Sequence, residues 1–101
     1  MELIITNSDG TLTAEFKGRL DTLAATECTP QLAPIRENAD KNIVLECKEL
    51  EYISSSGLRI FLSILKDVKA KGGSLVLNNV NKDIRNIFSI TGFHKIFNIA
   101  D

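Results

Sequence analysis

Three consecutive hydroxyls, Ser54-Ser55-Ser56, followed by Gly57, stand between an apolar run and Leu58-Arg59-Ile60-Phe61-Leu62. A serine can act as a nucleophile, cap a helix or accept a phosphoryl group, and its neighbours decide between these. Nucleophilic catalysis requires convergent reactive groups, and the sequence offers few. The cluster is not Gly-x-Ser-x-Gly, so it does not form a nucleophile elbow. The one histidine, His94, lies beside Phe93 and Phe97 and reads as a surface or packing residue. Glu49 and Glu51 read as loop carboxylates with nothing to pair with. There is no phosphate-cradling or dinucleotide glycine loop. Cys28 and Cys47 lack any Cys-x-x-Cys or Cys/His spacing and read as small buried apolar residues rather than ligands or a disulfide. The expectation is a protein that is not an enzyme, with no catalytic residues, no metal and no cofactor.

Two readings of the serines remain. Serine is a favoured N-cap, and Ser55 or Ser56 could start a helix over Leu58–Lys71. The capping box is absent, because Leu58 and Arg59 stand three residues beyond them instead of Glu or Gln. One cap also does not require three hydroxyls. The second reading is a switch. A helix N-terminus favours negative charge, so a phosphoryl group there adds about −1.5 to −2 charges without unfolding the helix. It could equally spoil a binding surface by repulsion. Gly57, lacking a side chain, would let a partner or kinase approach the adjacent hydroxyl.

The elements that must hold this turn follow from periodicity. Leu3–Thr6 is a short apolar strand, Asn7-Ser8-Asp9-Gly10 a turn, and Thr11–Lys17 alternates with Leu12, Ala14 and Phe16 on one face, which together predict a β-hairpin. Gly18–Thr22 breaks the alternation, and Asp21 or Thr22 could cap the next helix. From there to about Ala39 the helical spacing is interrupted by Pro30 and Pro34, so a helix that is kinked or starts late is expected, with Thr29-Pro30 a possible second start. Asn42–Cys47 suits a central strand buried on both faces. Leu58, Phe61, Leu62, Leu65 and Val68 recur at helical spacing until Gly72-Gly73. Ser74–Leu77 reads as another central strand, Asn81 starts a helix that Gly92 stops, and Phe93–Ile99 is a short final element that could be a strand. The order β-β-α-β-α-β-α-(β) predicts an α/β fold, a mixed β-sheet packed by helices.

In this setting the run YISSSGLRIFLSILKDVKAKGGSLVLNNV resembles the heart of a STAS domain, the fold of bacterial anti-sigma factor antagonists. That family's pattern is an apolar strand, Asp/Ser-Ser-Ser/Thr/Ala-Gly-Leu, a helix, a Gly-Gly turn and another strand. GRLDT at Gly18–Thr22 is similar to its Gly-x-Leu-Asp stretch, and IRNIFSITGFHKIF to its late helix, glycine stop and closing segment. The resemblance covers nearly the whole chain and implies one STAS domain over residues 1–101. It implies that the serine before the glycine, Ser56, is phosphorylated by the partner, with Ser55 as the fallback. That partner would be an anti-sigma factor with serine kinase activity. The unphosphorylated protein would bind it and release sigma factor, and a serine phosphatase would restore the binding form. The implied partner-binding face comprises Asp21, Thr22, Ser54, Ser55, Gly57, Leu58 and Arg59. Many relatives carry Asp where this chain has Ser54, and many continue beyond the closing segment into another helix.

Bulk composition agrees with such a module. The chain has 101 residues, 44% hydrophobic and 25% charged, with net charge −1. No basic cluster marks a nucleic-acid surface, and Lys66, Lys69 and Lys71 read as one solvated helix face. No apolar stretch approaches the roughly 20 residues of a membrane span, and the N-terminus lacks a signal-peptide pattern, so a cytoplasmic protein off the membrane is expected; the resemblance implies a bacterial one. Two other functions fit less closely: a STAS subunit binding a transporter ATPase without phosphorylation, and a small-molecule sensor, for which pocket-lining aromatics are lacking.

Overall fold

In the computed structural model, which describes residues 1–100, the chain runs β1 (Glu2–Ser8), β2 (Thr11–Leu20), α1 (Thr22–Cys28), a 3-10 turn (Pro30–Leu32), α2 (Ala33–Glu37), β3 (Asn42–Ile53), α3 (Ser55–Lys71), β4 (Ser74–Asn78), α4 (Lys82–Thr91) and a second 3-10 turn (Phe93–Lys95). Asp101, the last residue of the expected domain, lies outside the described residues. The strands form one sheet in the order β1-β2-β3-β4, with β1 antiparallel to β2 and the other pairs parallel. The hairpin turns on Asp9-Gly10, both at positive φ (51° and 81°), as a two-residue hairpin turn requires. Parallel neighbours cannot be joined by a hairpin, so α1 and α2 cross from β2 to β3, and α3 crosses from β3 to β4.

Four sequence expectations are corrected. First, β3 does not stop at Cys47 but runs on through Glu49 and Glu51 to Ile53, so those carboxylates lie on a strand. The alternation hid this because the buried residues after Cys47 are Leu50 and Ile53, three apart, where the β2–β3 register shifts. Gly18–Leu20 likewise belongs to β2, with Gly18 at φ 102° beside the same irregularity. Second, β3 is buried on one face only: Ile43, Leu45 and Cys47 are covered, while Val44 and Glu46 are half-buried on the other face. Third, β4 is an edge strand of the four. Fourth, the final element is a 3-10 turn followed by a single parallel bridge from Ile99 to Leu77.

The expected kinked helix is α1, a 3-10 turn and α2 in succession. The two prolines sit in the first turns of the second and third pieces, where the missing N–H costs nothing. Thr29 ends α1 instead of capping the next piece: its hydroxyl donates to the Ala25 carbonyl at 2.7 Å. At the far end of α3, Gly72 adopts the left-handed conformation (φ 80°) that closes a helix without a Cβ penalty.

The core lies between the sheet and the helices. Phenylalanines link its parts: Phe16 of β2 to Phe61 of α3 (5.2 Å between ring centres), Phe61 to Phe88 of α4 (6.3 Å), and Phe88 to Phe97 of the closing segment (5.7 Å). Such tilted and offset ring pairs add to the large area each ring buries. Two polar ties fix the helices. Arg36 of α2 donates to Asp67 (2.7 Å) and Ser63 (2.8 Å) on α3. Asn81 caps α4 through the Ile84 N–H (2.9 Å) while its amide donates to the Leu50 carbonyl of β3 (2.7 Å).

Candidate interaction and modification site

Parallel pairing of β2 and β3 ends both strands at one edge, with Leu20 opposite Ile53. The next residue in each case caps a helix. Of the two caps the sequence offered, Asp21 and Thr22, it is Asp21 that accepts the Ala24 N–H at 2.9 Å and starts α1. Ser54 accepts the Gly57 N–H at 3.2 Å and starts α3. Two helix N-termini thus rise side by side from adjacent strand ends. This is the end of a parallel sheet where α/β folds collect their sites.

Ser54 is therefore the cap, and the expectation of a cap at Ser55 or Ser56 is corrected. Its backbone is equally committed: the N–H donates to the Leu20 carbonyl and the carbonyl accepts from the Leu58 N–H, both at 2.9 Å. At 9% exposure it is a buried polar residue with its groups satisfied. Aspartate and serine are interchangeable as N-caps. The Asp/Ser alternation at this position of the family pattern is thereby explained by capping.

Gly57 faces inward. A Cβ there would approach Ile53 Cγ1 to 2.8 Å and Leu20 Cγ to 2.9 Å, so the glycine lets α3 sit directly on the ends of β2 and β3. The expectation that it opens access for a partner is corrected, since the space it leaves is filled from below. Leu58 is buried too and belongs to the core. Of the seven residues assigned to the partner face, Gly57, Leu58 and Ser54 are thus turned to packing or capping. Asp21, Thr22, Ser55 and Arg59 are exposed, and Ser56 is half-buried.

Ser55 and Ser56 are the hydroxyls left over. They occupy the first turn of α3, where the helix dipole and unpaired N–H groups favour an anion. Ser56 lines an open groove of about 170 Å³ between α1 and α3, together with Ala25, Thr26, Thr29, Arg59 and Ile60. Ser55 is not among the lining residues.

Three neighbours escaped the sequence reading. Leu23 on the first turn of α1 is 68% exposed, Tyr52 is partly exposed at the end of β3, and the Arg19 guanidinium lies 4.4 Å from the centre of the Tyr52 ring. Arg19 and Tyr52 are register partners in the β2–β3 pair, a relation invisible until the register shift is known. Leu23 could have been noticed as an apolar residue off the Ala25–Cys28–Leu32 stripe.

Glu49, expected to be unpaired, holds Lys17 at 3.4 Å, and that carboxylate, helped by Glu15, raises the ammonium pKa. Burial pushes the Cys47 thiol up to about 12, so it stays protonated and inert. His94 is exposed, with Nδ1 3.3 Å from the Phe88 carbonyl. Lys66, Lys69 and Lys71 are exposed, and Lys71 also donates to the Arg36 carbonyl at 2.9 Å. Among the described residues no helix is long and apolar enough to cross a membrane.

Comparison with known proteins agrees with this geometry. The family model described as STAS domain matches residues 2–101. The chain is 34% identical over 101 residues to a Bordetella bronchiseptica protein named "Putative anti-sigma factor antagonist BtrV", covering 100% of this chain and 87% of that one. It is 32% identical over 97 residues to the anti-sigma-B factor antagonist of Bacillus subtilis, covering 95% and 87%. In fold it resembles the Bacillus cell fate determinant SpoIIAA in its phosphorylated form, with a TM-score of 0.73 at 18% identity over 99% of this chain and 92% of that one.

Proposed function

The chain belongs to the STAS domain family, and from that premise we propose that it is an anti-sigma factor antagonist controlled by phosphorylation of Ser56. Unphosphorylated, it binds an anti-sigma factor with serine kinase activity and frees the sigma factor. The kinase then moves the γ-phosphoryl of ATP to Ser56: the Oγ–P bond forms, the bond to ADP breaks, and the hydroxyl proton leaves through the kinase. The added charge ends binding by repulsion and desolvation at the interface. A serine phosphatase hydrolyses the ester and returns the binding form. The names of the two relatives, which both contain the words anti-sigma factor antagonist or anti-sigma-B factor antagonist, support the class, and both relatives are at least 32% identical.

The observation that supports the switch is the division of labour within the serine run. Ser54 is consumed as a buried cap, whereas Ser55 and Ser56 keep their hydroxyls at a helix start beside Asp21. Ser56 is preferred because it lies in the groove with Arg59. The contact face is then Asp21, Thr22, Ser55 and Arg59, joined by Leu23 and the Arg19–Tyr52 pair, whose exposed apolar and aromatic surface suits a protein partner.

The test starts by co-purifying the partner from the native host. The protein is incubated with that partner and ATP, and the product is mapped by mass spectrometry. Phosphate on Ser56 is the expected result. Capture of a transporter ATPase, or a partner that leaves Ser55 and Ser56 unmodified, would overturn the switch.

A further inference from the structure

We infer that Arg59 is the residue that holds the phosphoryl group on Ser56, drawing it into the groove between α1 and α3. This inference rests on the reading of Ser56 as the modified residue and concerns what becomes of the group once attached. Ser56 and Arg59 are three residues apart on α3, a spacing that places side chains on one helix face. Both line the same groove of about 170 Å³. Of its six lining residues Arg59 alone carries a charge; Ala25 and Ile60 are apolar, and Thr26 and Thr29 donate their hydroxyl protons to Thr22 and Ala25 carbonyls at 3.1 and 2.7 Å. The threonine protons are therefore committed, and the guanidinium is the one side-chain donor in the groove available to an anion on Ser56. Arg59 is exposed, and neither ion pair formed among the described residues involves it. Arginine to phosphate is a strong charge-assisted pairing, often two-pronged. Ser55 stands four residues before Arg59, also within helical reach, but lies outside the groove that Ser56 and Arg59 share.

The consequence is regulatory. Phosphorylation would both place negative charge on the contact face and withdraw the Arg59 cation from it, so one modification alters two points of the surface.

The experiment does not need the kinase. Phosphoserine is installed during translation at position 56, and separately at position 55, each with Arg59 intact and with Arg59→Gln. Circular dichroism checks folding, and phosphorus NMR follows the second phosphate ionisation, ordinarily near pH 6. At position 56, Arg59→Gln is expected to raise that ionisation by about 0.3 pH units, the size of an exposed helical ion pair. Arg59→Lys should recover part of the shift. At position 55, outside the groove, the same substitutions should move the ionisation less than at position 56. No shift at position 56, or an equal shift at both positions, would overturn the assignment. Because the phosphate is installed independently of any partner, such a failure is distinct from failure of the partner to modify Ser56.

Discussion

Ser54 links sequence to structure most tightly, because its hydroxyl, N–H and carbonyl all join the end of β2 to the start of α3. Ser54→Ala should lower unfolding stability by about 1 kcal/mol, as loss of an N-cap does, and Ser54→Asp should retain it. Ser55→Ala should change stability by less than about 0.5 kcal/mol, as expected of an exposed residue without such a role. Urea denaturation of the three variants checks this. The sequence showed that a cap was needed but misplaced it by one or two residues, because the end of β3 was hidden by the three-residue spacing of Cys47, Leu50 and Ile53. Cys47 offers a second test. Its thiol ionises near 9 when unfolded but only at about 12 when folded. Above pH 9 the unfolded chain therefore releases a proton that the folded chain keeps, and stability falls as pH rises through that window. Cys47→Ala should be less stable at pH 7, since a buried group is removed. Its melting temperature should nevertheless decline less steeply than that of the wild type between pH 9 and 10.

At the level of elements, the site is the meeting of α1 and α3 at the ends of β2 and β3. Gly57 sets how closely α3 descends, and Gly57→Ala forces a methyl against Leu20 and Ile53. The expected loss is about 1–3 kcal/mol, typical of overpacking, measured by denaturant unfolding. Asp21 combines a cap with a charge, and Asp21→Asn separates them, since asparagine caps as well as aspartate. Stability should hold within about 0.5 kcal/mol, while affinity for the anti-sigma partner should fall if the carboxylate contacts it. Calorimetry of folding and of binding on the same sample reads both. The helices were legible because their apolar stripes are long and their stops are glycines at Gly72 and Gly92. The ends of β2 and β3 were not, because bulges replace the period of two, and Leu23, Arg19 and Tyr52 went unnoticed with them.

Across the whole molecule, one covered sheet face and a chain of phenylalanines from β2 to the closing segment make a rigid base. Each parallel crossover returns the chain so that its next helix starts at the same edge. That topology brings Asp21 and the serine run together across more than thirty residues of sequence. The order of elements and the family were readable from motifs spread along the chain; the inward role of Gly57 and Leu58 required the packing itself. With the structural duties assigned to Ser54, Gly57 and Leu58, the proposed switch would act on the hydroxyls that remain. The direct test is the affinity of the co-purified anti-sigma factor for the wild type, Ser56→Ala and Ser56→Asp, with circular dichroism confirming that all three are folded. Binding within about twofold for alanine and at least about tenfold weaker for aspartate, a difference of roughly 1.4 kcal/mol, is the expected result. Equal affinity for alanine and aspartate would contradict control at Ser56.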